Sequence, residues 1–148
     1  MLDEWLNKRA LKNQKSGASR TFVICDDARV VGFYALATGS VERLLATGAV
    51  ARNMPDPIPV IVLARLAVDA PYQGRRLGIA LLRDAMLRTL SVSAQVGVRC
   101  LLTHALSGDA RRFYLRHGFS ASNLDPMTLM LPVAHIRRVY DLPANVIM

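Results

Sequence analysis

Residues 65–82, RLAVDAPYQGRRLGIALL, carry an apolar strand into a turn with glycine and two arginines, and the turn opens an amphipathic helix. Such a turn can hold a diphosphate. Amide hydrogens at a helix N-terminus attract anions, small residues let a ligand approach the backbone, and Arg75 and Arg76 add fixed positive charge. Basic strand-to-helix turns also serve purely structural ends, so this stretch alone leaves both readings open.

A second element, SGDARRFYLRHGF at residues 107–119, lies downstream of a further apolar run from Arg99 to Thr103. Together the two segments resemble the GNAT superfamily of N-acetyltransferases, whose coenzyme loop reads Gln/Arg-x-x-Gly-x-Gly/Ala. Gln73-Gly74-Arg75-Arg76-Leu77-Gly78 has the glutamine and the last glycine, with Arg76 at the first glycine position. Read two residues later, Arg75-Arg76-Leu77-Gly78-Ile79-Ala80 satisfies the pattern fully, and the frame stays open at this point. The Ala110-x-x-Phe113-Tyr114-x-x-x-Gly118-Phe119 run completes the resemblance.

A narrower resemblance covers most of the chain. Trp5-Leu6, Leu11-Lys12-Asn13-Gln14, Gly17-Ala18-Ser19-Arg20-Thr21-Phe22, Phe33-Tyr34-Ala35-Leu36-Ala37, Arg52-Asn53-Met54-Pro55-Asp56-Pro57-Ile58-Pro59-Val60 and Asp125-Pro126-Met127-Thr128 are similar to the acetyltransferase toxins of bacterial type II toxin-antitoxin modules. Those toxins acetylate the free α-amino group of aminoacyl-tRNA and stop translation. The resemblance implies an α/β (α+β) GNAT fold, a mixed central sheet whose fourth and fifth strands splay, flanked by helices. It implies acetyl-CoA as cosubstrate, held by Leu66, Ala67, Val68, Gln73, Gly74, Arg75, Arg76, Gly78, Ile79, Ala80, Ser107, Ala110 and Phe113. Backbone groups of Leu66 and Val68 would take the pantetheine arm. It also implies charged tRNA as acceptor, a homodimer, and a ribbon-helix-helix antitoxin through which operator DNA is bound. Relatives carry a further stretch upstream, including the sheet's first strand, so that strand is expected to be missing here.

Composition bounds the answer independently. With 148 residues, 52% of them hydrophobic, the chain is long enough for one domain with its own core and too apolar for a disordered chain. One domain over residues 1–148 is expected, with 133–148 as a C-terminal extension that either covers an edge or trails. No apolar run reaches the ~18 residues of a membrane span, and Met1-Leu2-Asp3-Glu4 lacks the basic and apolar regions of a signal peptide. A cytoplasmic location without membrane contact is expected. Cys25 and Cys100 each sit in an apolar run and read as buried, reduced thiols rather than a disulfide or a catalytic group. No histidine and cysteine spacing suits a metal, and none is expected.

Nineteen lysines and arginines against eleven acidic residues give a net charge of +8. This excess favours a polyanionic partner through counterion release. Lys8, Arg9, Lys12, Lys15 and Arg20 cluster at the first helix and its exit, and with Arg52 and Asn53 they are the candidate tRNA contacts.

Periodicity predicts a helix over Leu2–Gln14 ended by Ser16-Gly17, and an antiparallel hairpin of Arg20–Cys25 with Val30–Ala37. Thr38–Pro57 reads as irregular with one turn of helix. Pro59–Val68 reads as a strand covered on both faces. Helices are expected over Gly78–Val96, with Ile79, Leu82, Met86 and Leu90 on the apolar face, and over Gly108–His117; strands over Arg99–Thr103 and Leu129–Pro132.

The chemistry follows from acidities. Acetyl transfer needs a neutral amine, a donor for the developing oxyanion and an acid for the leaving thiolate. Many relatives use a glutamate on the strand that is here Val60–Val68, which contains no carboxylate. An α-amino group, with a pKa of about 8, needs such a base far less than a lysine near 10.4 does. Tyr114, through its match to the superfamily's Phe-Tyr pair, is the candidate acid, while packing of the helix onto the sheet is better suited to Phe113. His104 is either a base or a histidine satisfied by local hydrogen bonds; His117 and His135 read as surface residues. The alternative functions are an acetyltransferase for protein N-termini or a small amine, and a non-catalytic subunit that keeps the coenzyme fold.

Overall fold

The computed structural model describes residues 10–140. Its strands are β1 (Arg20–Asp26), β2 (Arg29–Val41), β3 (Ile58–Val68), β4 (Cys100–His104), β5 (Ser120–Ala121) and β6 (Thr128–Pro132), hydrogen-bonded in the order β1-β2-β3-β4-β6-β5. Helices α1 (Leu11–Ser16), α2 (Gly48–Ala51), α3 (Leu77–Ser93), α4 (Gly108–Arg116) and α5 (Val133–Val139) alternate with them. The β1/β2, β4/β6 and β5/β6 pairs are antiparallel, and the whole is the mixed α/β arrangement that the resemblance implies.

The described residues fall into two compact units, 10–37 with 63–85, and 38–62 with 86–140. In the first, Val31, Phe33, Tyr34, Ala35, Leu63, Leu81, Leu82 and Ala85 are buried. Tyr34 stacks on Phe22 at 5.0 Å between ring centroids, and its hydroxyl donates to the Asp84 carboxylate. In the second, Val41, Val50, Ile58, Val60, Cys100, Leu102 and Met130 form one apolar cluster.

Several expectations shift. The first helix ends at Ser16-Gly17 as expected, two residues past Gln14, with Gly17 at φ 79° returning its amide to Gln14 O; residues 2–9 of the predicted helix lie outside the described residues. The strand predicted to stop at Ala37 runs on through exposed Thr38, Gly39 and Ser40 to Val41, which is buried in the second cluster. The single turn of helix expected before Pro57 is α2, capped by the Thr47 side chain.

β3 is not covered on both faces throughout. Ile58–Leu63 is largely buried, whereas Ala64 and Arg65 are exposed and Leu66–Val68 half-buried. β4 has five residues against eleven in β3, so it can accompany only part of that strand. On α3, Ile79 is 41% exposed and does not join the core stripe, which is Leu81, Leu82, Ala85, Met86 and Leu90. Ile79 lies four residues before exposed Arg83 and therefore shares its face.

Cys25 is exposed, contrary to the sequence reading, because it shares with Val23 the open face of β1; Cys100 is buried as expected, and both are free thiols. His117 is half-buried against Phe113, with ring centroids 4.9 Å apart. His135 is half-buried too, its Nε2 only 2.9 Å from where a Cβ on Gly118 would stand. Both were expected on the surface. The predicted extension is helical over Val133–Val139, with Val133 and Ile136 buried; residues 141–148 lie outside the described residues.

Candidate active site

The turn leaving β3 is built by side chains that hold its backbone open. Asp69 accepts the Ala70 amide at 3.2 Å and pairs with Arg29 at 2.5 Å. The Tyr72 hydroxyl donates to Asp26 at 2.7 Å, a bond that pushes its pKa up from the ordinary value. The Arg75 guanidinium lies 4.9 Å from the Tyr72 ring centroid, a cation–π contact that fixes the arginine beside the turn. Gln73 donates through Nε2 to Val68 O at 3.1 Å, so the carbonyl of Val68 is already engaged. Gln73 is a brace of the turn as much as a lining residue.

Gly74 has φ 83° and Arg76 φ 62°. A non-glycine residue in the left-handed region costs about 1 kcal/mol or more. Residue 76 is thus the place where the backbone asks for glycine, which favours the frame beginning at Gln73 over the one beginning at Arg75. The next residue, Leu77, starts α3, and the first helical bond runs from the Ala80 amide to Arg76 O at 3.1 Å. The amides of Leu77, Gly78 and Ile79 therefore have no acceptor within the helix. Gly74, Arg75, Arg76, Ile79 and Ala80 are exposed and Gly78 half-buried. Free amides, two arginines and open space are the chemistry a diphosphate would need.

The second catalytic candidate is made differently. Ser107 Oγ accepts the Ala110 amide at 3.1 Å and caps α4, which carries Ala110, Phe113 and Tyr114. Tyr114 is only 6% exposed, edge-on to Phe119 at 5.2 Å, and its hydroxyl bonds the side chain of buried Thr103. Burial pushes its pKa up, and the bond to Thr103 offsets part of that rise. The hydroxyl therefore stays protonated at neutral pH. Phe113 is only half-buried, so the assignment of packing to Phe113 is reversed: Tyr114 is the ring that seats α4. Thr103 was missed by sequence reasoning; its alternation with Leu102 on β4 is the signal that places it on the Tyr114 side.

His104 Nδ1 lies 2.9 Å from Thr128 Oγ1, and that hydroxyl donates to Asp125 at 2.6 Å. The locally satisfied reading of His104 is the one this geometry matches. The Thr128 hydroxyl and the Met127 amide hold the Asp125 carboxyl below the usual carboxylate range.

Of the candidate tRNA contacts, Lys12, Lys15 and Arg20 are exposed and share one unit, where Arg20 Nη1 donates to Gln14 O at 3.4 Å. Arg52 and Asn53 are exposed in the other unit, after α2. Lys8 and Arg9 lie outside the described residues.

Comparison with known proteins agrees with this geometry. Residues 17–121 match the acetyltransferase (GNAT) domain family. The chain is 56% identical, over 130 residues, to the tRNA-acetylating toxin of Mycobacterium tuberculosis, a match covering 88% of this chain and 78% of the relative. Among solved structures, AtaT complexed with acetyl-methionyl-tRNAfMet superposes with a TM-score of 0.86 at 26% identity, over 94% of this chain and 85% of that one. A tyrosine-to-phenylalanine mutant of AtaT, bound to the C-terminus of the antitoxin AtaR and to acetyl-CoA, gives a TM-score of 0.79 at 26% identity, over 95% and 83% of the two chains. A strand-turn-helix that leaves three amides free, within a fold and sequence shared with these proteins, places the chain in the GNAT acetyltransferases, in the group of the tRNA-acetylating toxins.

Proposed function

We propose that this acetyltransferase moves the acetyl group of acetyl-CoA to the α-amino group of aminoacyl-tRNA and so blocks translation. The observation that carries the reading is β3, whose residues Ile58–Val68 include no carboxylate. An enzyme for lysine would lack its base there, whereas an α-amino group next to an ester is largely neutral at cellular pH. The identity to a tRNA-acetylating toxin supports the same acceptor.

Leu77, Gly78 and Ile79 amides with Arg75 and Arg76 hold the diphosphate, and the end of β3 from Leu66 to Val68 holds the arm that follows it. Gly74, Ala80, Ser107, Ala110 and Phe113 complete the coenzyme contacts. The amine nitrogen bonds the thioester carbonyl carbon, the carbon–sulfur bond breaks, and Tyr114 gives its hydroxyl proton to the departing thiolate. The proton that the nitrogen sheds on becoming an amide passes through water to Tyr114 and restores its hydroxyl. No metal takes part in this scheme. Lys8, Arg9, Lys12, Lys15, Arg20, Arg52 and Asn53 hold the tRNA. The protein acts in the cytoplasm as a homodimer and is neutralised by a ribbon-helix-helix antitoxin that carries the complex to operator DNA. Solved toxins bound to tRNA or to an antitoxin segment support tRNA and an antitoxin as partners.

The test is incubation with labelled acetyl-CoA and total charged tRNA. Label in the aminoacyl fraction, falling steeply with salt, is the expected result. Label only in protein N-termini or free amines would replace this acceptor by the alternative one, and salt-insensitive turnover of charged tRNA would remove the polyanion argument.

A further inference from the structure

We propose that a pocket of ≈ 410 Å³ lined by Arg52, Arg99, Arg137 and Arg138, in the unit of residues 38–62 and 86–140, is a phosphate-binding subsite for an RNA backbone. It rests on the proposed acceptor and adds a site that the basic cluster of the first helix does not contain. The pocket is built rather than incidental. Arg99 donates through Nε to Val50 O at 3.1 Å, and through Nη2 to Ala49 O at 2.9 Å and Arg52 O at 3.2 Å. Three neutral carbonyls fix the guanidinium in place and bring no negative charge to it. The same bonds fix the backbone of Arg52, so two of the four arginines are positioned by one clamp.

Arg137 and Arg138 come from the last turn of α5, which is seated by buried Val133 and Ile136. Ser93 is the remaining polar side chain of the lining, and no carboxylate lines the pocket among the described residues. Nor does Arg52, Arg137 or Arg138 form an ion pair there among the described residues. Four like charges around one concavity repel, and an entering anion relieves the repulsion. Guanidinium forks match phosphate oxygens in pairs, which makes arginine rather than lysine the suited residue. A repeating phosphodiester is favoured over an isolated anion because exposed Arg52 and Arg138 extend the charge outward from fixed Arg99. Arg52 had been singled out from sequence; Arg99, Arg137 and Arg138 enter through the fold alone.

The experiment uses the full chain carrying Arg137→Gln and Arg138→Gln together, with Arg99 left intact because its clamp is structural. Binding of fluorescein-labelled deacylated bulk tRNA is followed by anisotropy between 50 and 200 mM salt, with acetyl-CoA affinity by calorimetry as the control of folding. The expected result is a loss of RNA affinity of about tenfold or more at low salt and a log–log salt slope smaller by about 1 to 2, with acetyl-CoA affinity retained. Unchanged affinity and slope would overturn the subsite. Should the double variant lose acetyl-CoA binding, each single substitution carries the same test, with a slope change of about 1. Poly-glutamate binding that exceeds tRNA binding, and that disappears in the variant, would overturn the RNA assignment in favour of an acidic peptide. If the variant behaves as expected while wild-type protein leaves charged tRNA unlabelled, the subsite stands and the proposed acceptor falls.

Discussion

The coenzyme turn and the surroundings of Tyr114 solve opposite problems. At residues 69–80 the proposed working groups are backbone amides, and the side chains of Asp69, Tyr72 and Gln73 brace that backbone. At Tyr114 the proposed working group is one hydroxyl, and the surrounding chain closes over it until 6% of the residue is exposed. A backbone-built site tolerates changes of side-chain identity and fails to bulk or charge. A site built on one buried hydroxyl fails when that atom is removed and tolerates little else around it.

Tyr114→Phe probes the contrast most sharply. It removes the proposed proton donor while keeping the ring against Phe119, so turnover should fall by about 100-fold or more with acetyl-CoA affinity retained. Loss of the bond to Thr103 should cost about 1 kcal/mol of stability. Steady-state rates, calorimetry and thermal melts together check this, and an unchanged rate would take Tyr114 out of the mechanism.

Gly78→Glu tests the other region, since it places bulk and negative charge beside the free amides. Acetyl-CoA affinity should fall by about tenfold or more while the melting temperature moves little. Wild-type affinity in calorimetry would mean that the coenzyme lies elsewhere.

Alkaline titration tests the buried side of the comparison without ligand. Burial pushes the Cys100 thiol up to about 12 and raises the Tyr114 hydroxyl, whereas the unfolded chain releases these protons at their ordinary values of 9.0 and 10.0. Both contributions are complete below those ordinary values and are lost as pH rises through the folded ones. Denaturant melts should therefore show stability declining above about pH 9, with a shallower decline in Cys100→Ala. An identical pH slope in that variant would contradict the burial argument.

The smallest effect is expected from Arg76→Gly, which relieves the left-handed conformation at φ 62°. Stability should rise by about 1 kcal/mol or less, because the unfolded glycine gains entropy. A marked loss would show that the Arg76 side chain, rather than its backbone, shapes the turn.

Much of this was legible in the residues. The strand-turn-helix at 65–82 and the capped helix opened by Ser107 are local: alternation, a glycine and an N-cap specify them whatever packs nearby. The carboxylate-free strand is a matter of composition. Other features depend on which surfaces meet. Whether Phe113 or Tyr114 is buried depends on where α4 meets Thr103, and adjacent aromatics on one helix give no signal of it. Ile79 reads as a core residue until α3 is seated by Leu81, Leu82 and Ala85.

The sequence by itself determined the acetyltransferase family, the strand-turn-helix at 65–82 and the basic character of the chain, because each rests on short-range patterns or on a sum over residues. Only the tertiary structure decided the frame of the coenzyme loop, the burial of Tyr114 and the gathering of Arg52, Arg99, Arg137 and Arg138 around one pocket. Those depend on backbone angles set by distant braces and on contacts between residues far apart in the chain, and no local periodicity encodes them.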